Sequence, residues 1–399
     1  MPAHSSGEYA DFLVTLAMLL FLGLLSDFYS QRLHVPRVTL LLLLGVLVGP
    51  SGVAALTTSD LEWLRMIAQF TPPLVVFLAG GRLTRSLFRQ YQQLLVWVSG
   101  AIVASVLSVV WTGLSLLEVP IAIALTLAAI ATSTAPAAIT DIIRENRADG
   151  PFTRIIIGVV ATNITLALAL FSLLMAVVNT LVNLNDDMLP HLLAGIWEIA
   201  GSVLIGMLCG WLLTQLLKLF RQRDIVMILT LAVFFLCAGV AVTLHTSTLL
   251  ATLVFGIVTN RSPDSPVAFQ AIESIILLPL VILFIFAGAT LHPAGLLTTG
   301  WIGMAFILLR ICGMLLGGWI GTGLCEEVHL FHRRWLGPAL LPQASVTLGM
   351  AMAATEAMPV LAPVVLPVVI GSIIIFETFG PIITRIALVR SGEVNRQQE

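Results

Sequence analysis

Thirteen long apolar runs divide this chain, and about 20 consecutive apolar residues are what an α-helix needs to cross a bilayer. The runs lie near 11–30, 36–56, 63–81, 91–116, 119–145, 152–181, 190–217, 225–243, 246–260, 266–291, 298–322, 335–355 and 359–388 of the 399 residues. They leave no space for a sizeable soluble domain at either end. Charged residues make up only 10% of the chain, against about a quarter in a soluble domain. The sequence therefore predicts an all-α polytopic membrane protein of about 13 transmembrane helices. Long unbroken runs argue against an outer-membrane barrel, whose strands alternate over short segments. No basic stretch precedes the first run, so it reads as a retained span and not a cleaved signal peptide.

The few charges give an orientation. Of 19 basic residues, 17 fall at the ends of odd-numbered spans, from Arg32 and Arg37 after the first to Arg385, Arg390 and Arg396 after the thirteenth. The opposite ends carry acids: Asp60, Glu62, Glu118, Asp186, Asp187 and Glu356. Positive loops stay in the cytoplasm, which places the N-terminus outside and the C-terminus inside. Only Arg65 breaks the pattern, and only Arg310 falls in mid-membrane.

Two segments recur at one spacing. Pro73-Leu74-Val75-Val76-Phe77 is echoed by Pro279-Leu280-Val281-Ile282-Leu283, and Ala135-Pro136-Ala137 by Leu341-Pro342-Gln343, each proline pair 206 residues apart. An offset of seven spans reverses orientation, so the halves, approximately 11–181 and 225–388, read as an inverted repeat of the kind secondary transporters use. Together they form one membrane domain over 1–388, followed by a short cytoplasmic tail, 389–399.

Proline removes a backbone donor and clashes with the preceding turn, so spans 5 and 12 are expected to break at Pro136 and Pro342. Broken backbone at membrane depth is tolerated only where it faces protein or water. Two crossed broken helices would offer carbonyls to a cation and dipole ends that need compensating charge. Thr132, Ser133, Thr134 and Pro136 in span 5, with Gln343 and Ser345 in span 12, are the candidate ion- or substrate-binding residues. The alternative is a pair of kinks whose hydroxyls bond back to the helix. Arg310, deep in span 11, needs an anionic partner, for which Glu198 and Glu377 lie deep enough. Asp27 and Asp141 sit near cytoplasmic helix ends and read as solvated, and His245 and His292 as interfacial.

Four cysteines, Cys209, Cys237, Cys312 and Cys325, have no metal or redox spacing and read as small hydrophobes. No nucleophile with a base, metal cluster or phosphate-binding loop occurs at usable spacing. No enzyme activity, cofactor or metal centre is expected, and the net charge of -2 suggests no nucleic-acid partner.

His34-Val35-Pro36-Arg37-Val38-Thr39 with Gly45-Val46-Leu47-Val48-Gly49-Pro50, Thr134-Ala135-Pro136-Ala137-Ala138 with Asp141-Ile142-Ile143-Arg144-Glu145, Gly150-Pro151-Phe152-Thr153-Arg154, Gln343 to Ala351, and Glu377-Thr378-Phe379-Gly380-Pro381 occur in order. Through these segments the chain resembles the monovalent cation/proton antiporter superfamily over nearly all its length. The resemblance implies a homodimer in a bacterial-type inner membrane, with a core of six helices that carries sodium or potassium against protons by alternating access. It also implies that Glu198 and Arg310 form a structural ion pair beside the core.

The chain departs from that pattern in span six. The family's Asn-Asp or Asp-Asp pair, whose second carboxylate binds cation and proton, aligns with Asn163-Ile164. A bare cation in a low-dielectric pocket needs compensating charge, and proton exchange needs a titratable group; Asn163, Thr134 and Ser133 supply neither. Glu377 or Glu198 then becomes the candidate for proton coupling. Three readings follow: an antiporter with a displaced carboxylate, a transporter of an anion or neutral solute that uses helix N-termini and Arg310, and a non-transporting sensor or partner subunit.

Overall fold

A computed structural model describes residues 4–33, 35–82, 85–182, 188–220, 222–291, 293–325 and 330–394. Asp186, Asp187, Arg221, His292 and Arg396 lie outside the described residues. Apart from one short 3-10 turn, Pro359–Leu361, every regular element described is an α-helix. The first half comprises α1 (His4–Leu33), α2 (Arg37–Val48), α3 (Thr58–Gly81), α4 (Arg85–Leu116), α5 (Ile121–Ala131), α6 (Pro136–Glu145) and α7 (Pro151–Val182). Then come α8 (Met188–Leu219), α9 (Arg223–Thr243), α10 (Thr248–Thr259), α11 (Ser265–Ile275), α12 (Leu277–Ala289) and α13 (Pro293–Gly323). The chain ends with α14 (Leu330–Ala339), α15 (Ser345–Ala357) and α16 (Ala362–Ser391).

Helix starts follow local chemistry. Pro136 and Pro151 open α6 and α7, the first helical position being where a missing N–H costs nothing. Thr57 caps α3: its hydroxyl accepts from Asp60 N at 3.2 Å while the Asp60 carboxylate accepts from Thr57 N at 2.9 Å, a reciprocal pairing of otherwise orphaned donors.

Among the described residues, nine helices are long and apolar enough to cross a membrane, or ten when α11 and α12, bent by 45° at their junction, count as one. The remaining segments read as spans are the short apolar α2 and α10 and the interrupted pair α14 and α15. Length and composition alone therefore do not confirm thirteen crossings, because these segments fall short of a full apolar length.

Two sets of helix contacts stand out, joined to each other through α7 on α8 and α15 on α3. In one, α4 lies along α13 and α7, while α16 contacts α13, α14, α15 and α6. In the other, α10 packs on α8 and α3, and α12 packs on α2 and α3. Two glycine contacts in the second set match each other. A Cβ on Gly45 of α2 would collide with the Ile285 carbonyl of α12, and one on Gly256 of α10 would collide with the Phe77 carbonyl of α3. Only glycine lets these backbones touch. Between them, the Thr71 hydroxyl of α3 donates to the Pro279 carbonyl of α12 at 3.2 Å, joining the two proline-led segments that recur in the sequence.

Candidate functional site

The two helix interruptions meet. α5 ends in tightened turns, with Thr132 N donating to Ala129 O and Ser133 N to Ile130 O, both at 3.2 Å. The chain then runs without helix to Pro136, where α6 begins. The second interruption covers 340–344, between α14 and α15. Ala135 N donates to Pro342 O at 3.0 Å, and the Ser133 and Thr347 hydroxyls lie 2.7 Å apart. These bonds fix the crossing of the two broken helices.

Arg310 closes the crossing from α13. Fully buried, its guanidinium donates through Nε to Ala131 O at 3.0 Å, through Nη1 to Leu341 O at 2.9 Å and through Nη2 to Ser133 O at 3.0 Å. It also stacks over the Phe376 ring at 4.3 Å. Carbonyls at helix ends lack intrahelical partners and carry partial negative charge, so one cation satisfies the ends of both α5 and α14. The Glu198–Arg310 ion pair expected from the resemblance is not formed. The guanidinium donors are spent on backbone oxygens, and Glu198, on α8, lines a separate cavity.

The other expected binding residues divide into two sets. The Thr132 and Ser133 hydroxyls bond back to Ala129 O at 2.7 Å and Ile130 O at 2.9 Å, as the kink alternative had it. Asn163 donates from Nδ2 to Thr132 O at 2.9 Å, which ties α7 to the crossing. Pro136 presents its carbonyl to Arg82, whose Nη1 donates to it at 2.8 Å and to the Thr140 hydroxyl at 2.7 Å. In contrast, Thr134 Oγ1, Asn163 Oδ1, Gln343 Nε2 and Glu377 Oε1 are buried with no hydrogen-bond partner. Each such group costs about 1–3 kcal/mol, so these atoms are the ones free to take a ligand. Ile164 is fully buried in the hydrophobic core.

Glu377 reaches the crossing from α16. Its neighbour Phe376 lies beneath Arg310, and one turn on, a Cβ on Gly380 would meet Pro342 Cα at 2.9 Å. The α6 and α15 N-termini have no acidic residue in their first turns and no side-chain cap. Glu377, only 4% exposed, shares a cavity with Ala137 and Ala138 of α6 and with Ser345 of α15. It is the buried acid of the cavity that residues of both uncapped N-terminal turns line.

Two cavities flank the crossing. One, of about 660 Å³, lies on the arginine-rich side and is lined by Asp27, Arg37, Asp141, Glu145, Ser345 and Glu377 among others. The other, of about 550 Å³, includes Gln69, Glu198, His245 and Glu356. α3 gives Val75 to the first and Pro72 and Pro73 to the second, while α15 gives Ser345 to the first and Gly349 and Met352 to the second. The cavities therefore open on opposite halves of the same helices. Asp141, read from the sequence as solvated, faces the cavity that holds Glu377. Thr347 was not anticipated, although its place two residues beyond Ser345 in the second hydroxyl-bearing segment was the available signal.

The solved structures of the sodium proton antiporter MjNhaP1 from Methanocaldococcus jannaschii share this fold. The structure at pH 8 superposes with a TM-score of 0.74 at 18% identity, covering 96% of this chain and 97% of that one. An electron-microscopy map of the same antiporter gives 0.74 at 18% identity over the whole of both chains. No curated protein matches. The family model for the sodium/hydrogen exchanger transmembrane region matches residues 16–390, nearly the whole chain. The protein therefore belongs to the sodium/hydrogen exchanger transmembrane family.

Proposed function

We propose that the protein is a secondary active antiporter that exchanges a monovalent cation, sodium or potassium, for a proton by alternating access, with Glu377 doing the work of the carboxylate absent at 164. The observation that carries this reading is the Glu377 carboxylate itself: buried, with an unpartnered oxygen, adjacent to the crossing and at the head of an aqueous-sized cavity. A carboxylate so placed has two low-cost states, protonated or paired with a cation. Exchange of one for the other is antiport.

Arg310 holds the two unwound segments together and does not compete for Glu377. Asn163 Oδ1 and Thr134 Oγ1 are neutral oxygens that complete a cation's coordination at the crossing. The two cavities on opposite halves of α3 and α15 supply the two access routes. The basic helix ends support a cytoplasmic C-terminus in an inner membrane, and the resemblance to the cation/proton antiporter superfamily supports a homodimer. The matched proline and glycine contacts support inverted halves over 11–181 and 225–388.

The test is transport by purified protein in proteoliposomes with an imposed pH gradient and an internal pH dye. Sodium, potassium, lithium and chloride are presented in turn. The expected result is a cation-dependent pH change that disappears in Glu377→Gln. A full response in that variant removes Glu377 from the mechanism. Silence toward every cation supports the non-transporting reading, and a chloride response the anion reading.

A further inference from the structure

We infer that Asp141 is a second functional carboxylate, which collects the monovalent cation at the mouth of the arginine-rich-side cavity and passes it to Glu377; this rests on the antiport reading above. α6 runs from the crossing at Pro136 toward that mouth, and Ala137, Ala138, Asp141 and Glu145 of one helical face all line the cavity. At 1.5 Å per residue, Asp141 lies about 7.5 Å along the helix from Pro136. Between it and the crossing this face carries only Ala137 and Ala138, whose small side chains leave the path open.

Asp141 is the unpaired acid of this face nearer the crossing, Glu145 lying one turn farther out. Asp27 has Arg37 at 3.7 Å. Arg144 lies 3.9 Å from Glu273, and Arg82 is hydrogen-bonded to Pro136 O and the Thr140 hydroxyl. Asp141 forms no ion pair with either arginine. It lines the same cavity as Glu377. Two like charges facing one cavity are stabilised by a cation between them, and the buried, unpartnered Oε1 of Glu377 marks where that cation ends its path. Asp141 is exposed to the cavity, so it meets the ion while part of its hydration remains. Glu377 receives it where water is scarce.

Asp141→Asn in oriented proteoliposomes, with sodium and potassium as the probes, tests this. The half-saturating cation concentration on the arginine-rich side is expected to rise about tenfold, in line with electrostatic focusing in a low-dielectric cleft. Saturating cation should overcome the loss, and half-saturation on the opposite side should not move. Asp141→Glu should restore the wild-type value. In wild type, raising ionic strength with choline chloride should weaken half-saturation toward that of Asp141→Asn by screening the charge. Wild-type half-saturation in Asp141→Asn overturns the inference, as does a loss that saturating cation cannot overcome or that Asp141→Glu shares. If Glu377→Gln abolishes exchange while Asp141→Asn behaves as wild type, the role of Asp141 alone falls. If Glu377→Gln transports normally, the antiport reading beneath it falls.

Discussion

Arg310 donates through Nη2 to the carbonyl oxygen of Ser133 at 3.0 Å, with two further bonds to Ala131 and Leu341, so a side chain on α13 holds both interrupted helices together. Replacing it by methionine leaves three buried carbonyls without donors. Arg310→Met is expected to lose about 3 kcal/mol or more of stability, read as a lower melting temperature of the detergent-purified protein. Arg310→Lys should recover only part of this, since an ammonium cannot reproduce the planar fork. Glu198→Gln should stay within about 0.5 kcal/mol of wild type, because Glu198 makes no ion pair with Arg310. Equal losses at 198 and 310 would mean that the two side chains do depend on each other.

On the proposed antiport reading, Glu377 also sets the expected charge balance of exchange. Among the described residues the other buried carboxylate is Asp60, which is engaged in the α3 cap. With one titratable acid at the crossing, one proton exchanges for one cation and the cycle moves no net charge. A clamped membrane potential should then leave the final cation gradient unchanged. Movement of one net charge per cycle would instead shift that gradient about fiftyfold per 100 mV, from the ~2.3 kcal/mol that such a potential supplies.

The broken helices were legible because Pro136 and Pro342 fall in hydroxyl-bearing segments that recur at one spacing, and the structure interrupts both spans there, whereas Pro73, Pro367 and Pro381 lie inside continuous helices. The recurrence of the proline-led segments at one spacing was legible directly in the residues. What the sequence could not give was pairing. Arg310 called for an anion, but helix-end carbonyls are acceptors too, and no pattern of side chains reveals where unwound backbone will lie. Asp141 reads as solvated and is exposed, but depth along a helix says nothing about the cavity that it shares with Glu377. The bend between α11 and α12 carries the same kind of signal, because Pro279 has no N–H for the Ile275 carbonyl one turn back and crowds it.

The glycine contacts predict a graded response. A methyl group on Gly288 would collide with the Leu42 carbonyl, and one on Gly256 with the Phe77 carbonyl. Backbone atoms cannot rotate away, so α2 must part from α12, or α10 from α3. Gly288→Ala and Gly256→Ala should each lower the melting temperature, with losses of about 1–3 kcal/mol typical of overpacking. Gly239, on α9, has open space around it. Gly239→Ala should be neutral or stabilising by up to about 1 kcal/mol, as expected for helix propensity. A similar response at all three positions would show that close helix approach is not what the glycines provide.

Restoring an acid at 164 separates fold from chemistry. Ile164 is fully buried among apolar side chains, and its neighbour Asn163 reaches the crossing through the Thr132 carbonyl. Ile164→Asp places a carboxylate in an apolar setting, and in the absence of a cation an unpaired buried charge costs stability. The melting temperature should fall well below that of Ile164→Val in choline buffer. If the aspartate faces the unpartnered oxygens of Asn163 and Thr134, sodium or lithium should then restore stability, because a ligand that binds only the folded state stabilises by about 2.7 kcal/mol at a hundredfold excess over its Kd. The recovery should be specific to the small cation and larger than any that sodium gives wild type. A fall that sodium and choline leave equally uncorrected would place residue 164 outside the ion's path, with Glu377 serving a pathway displaced from it.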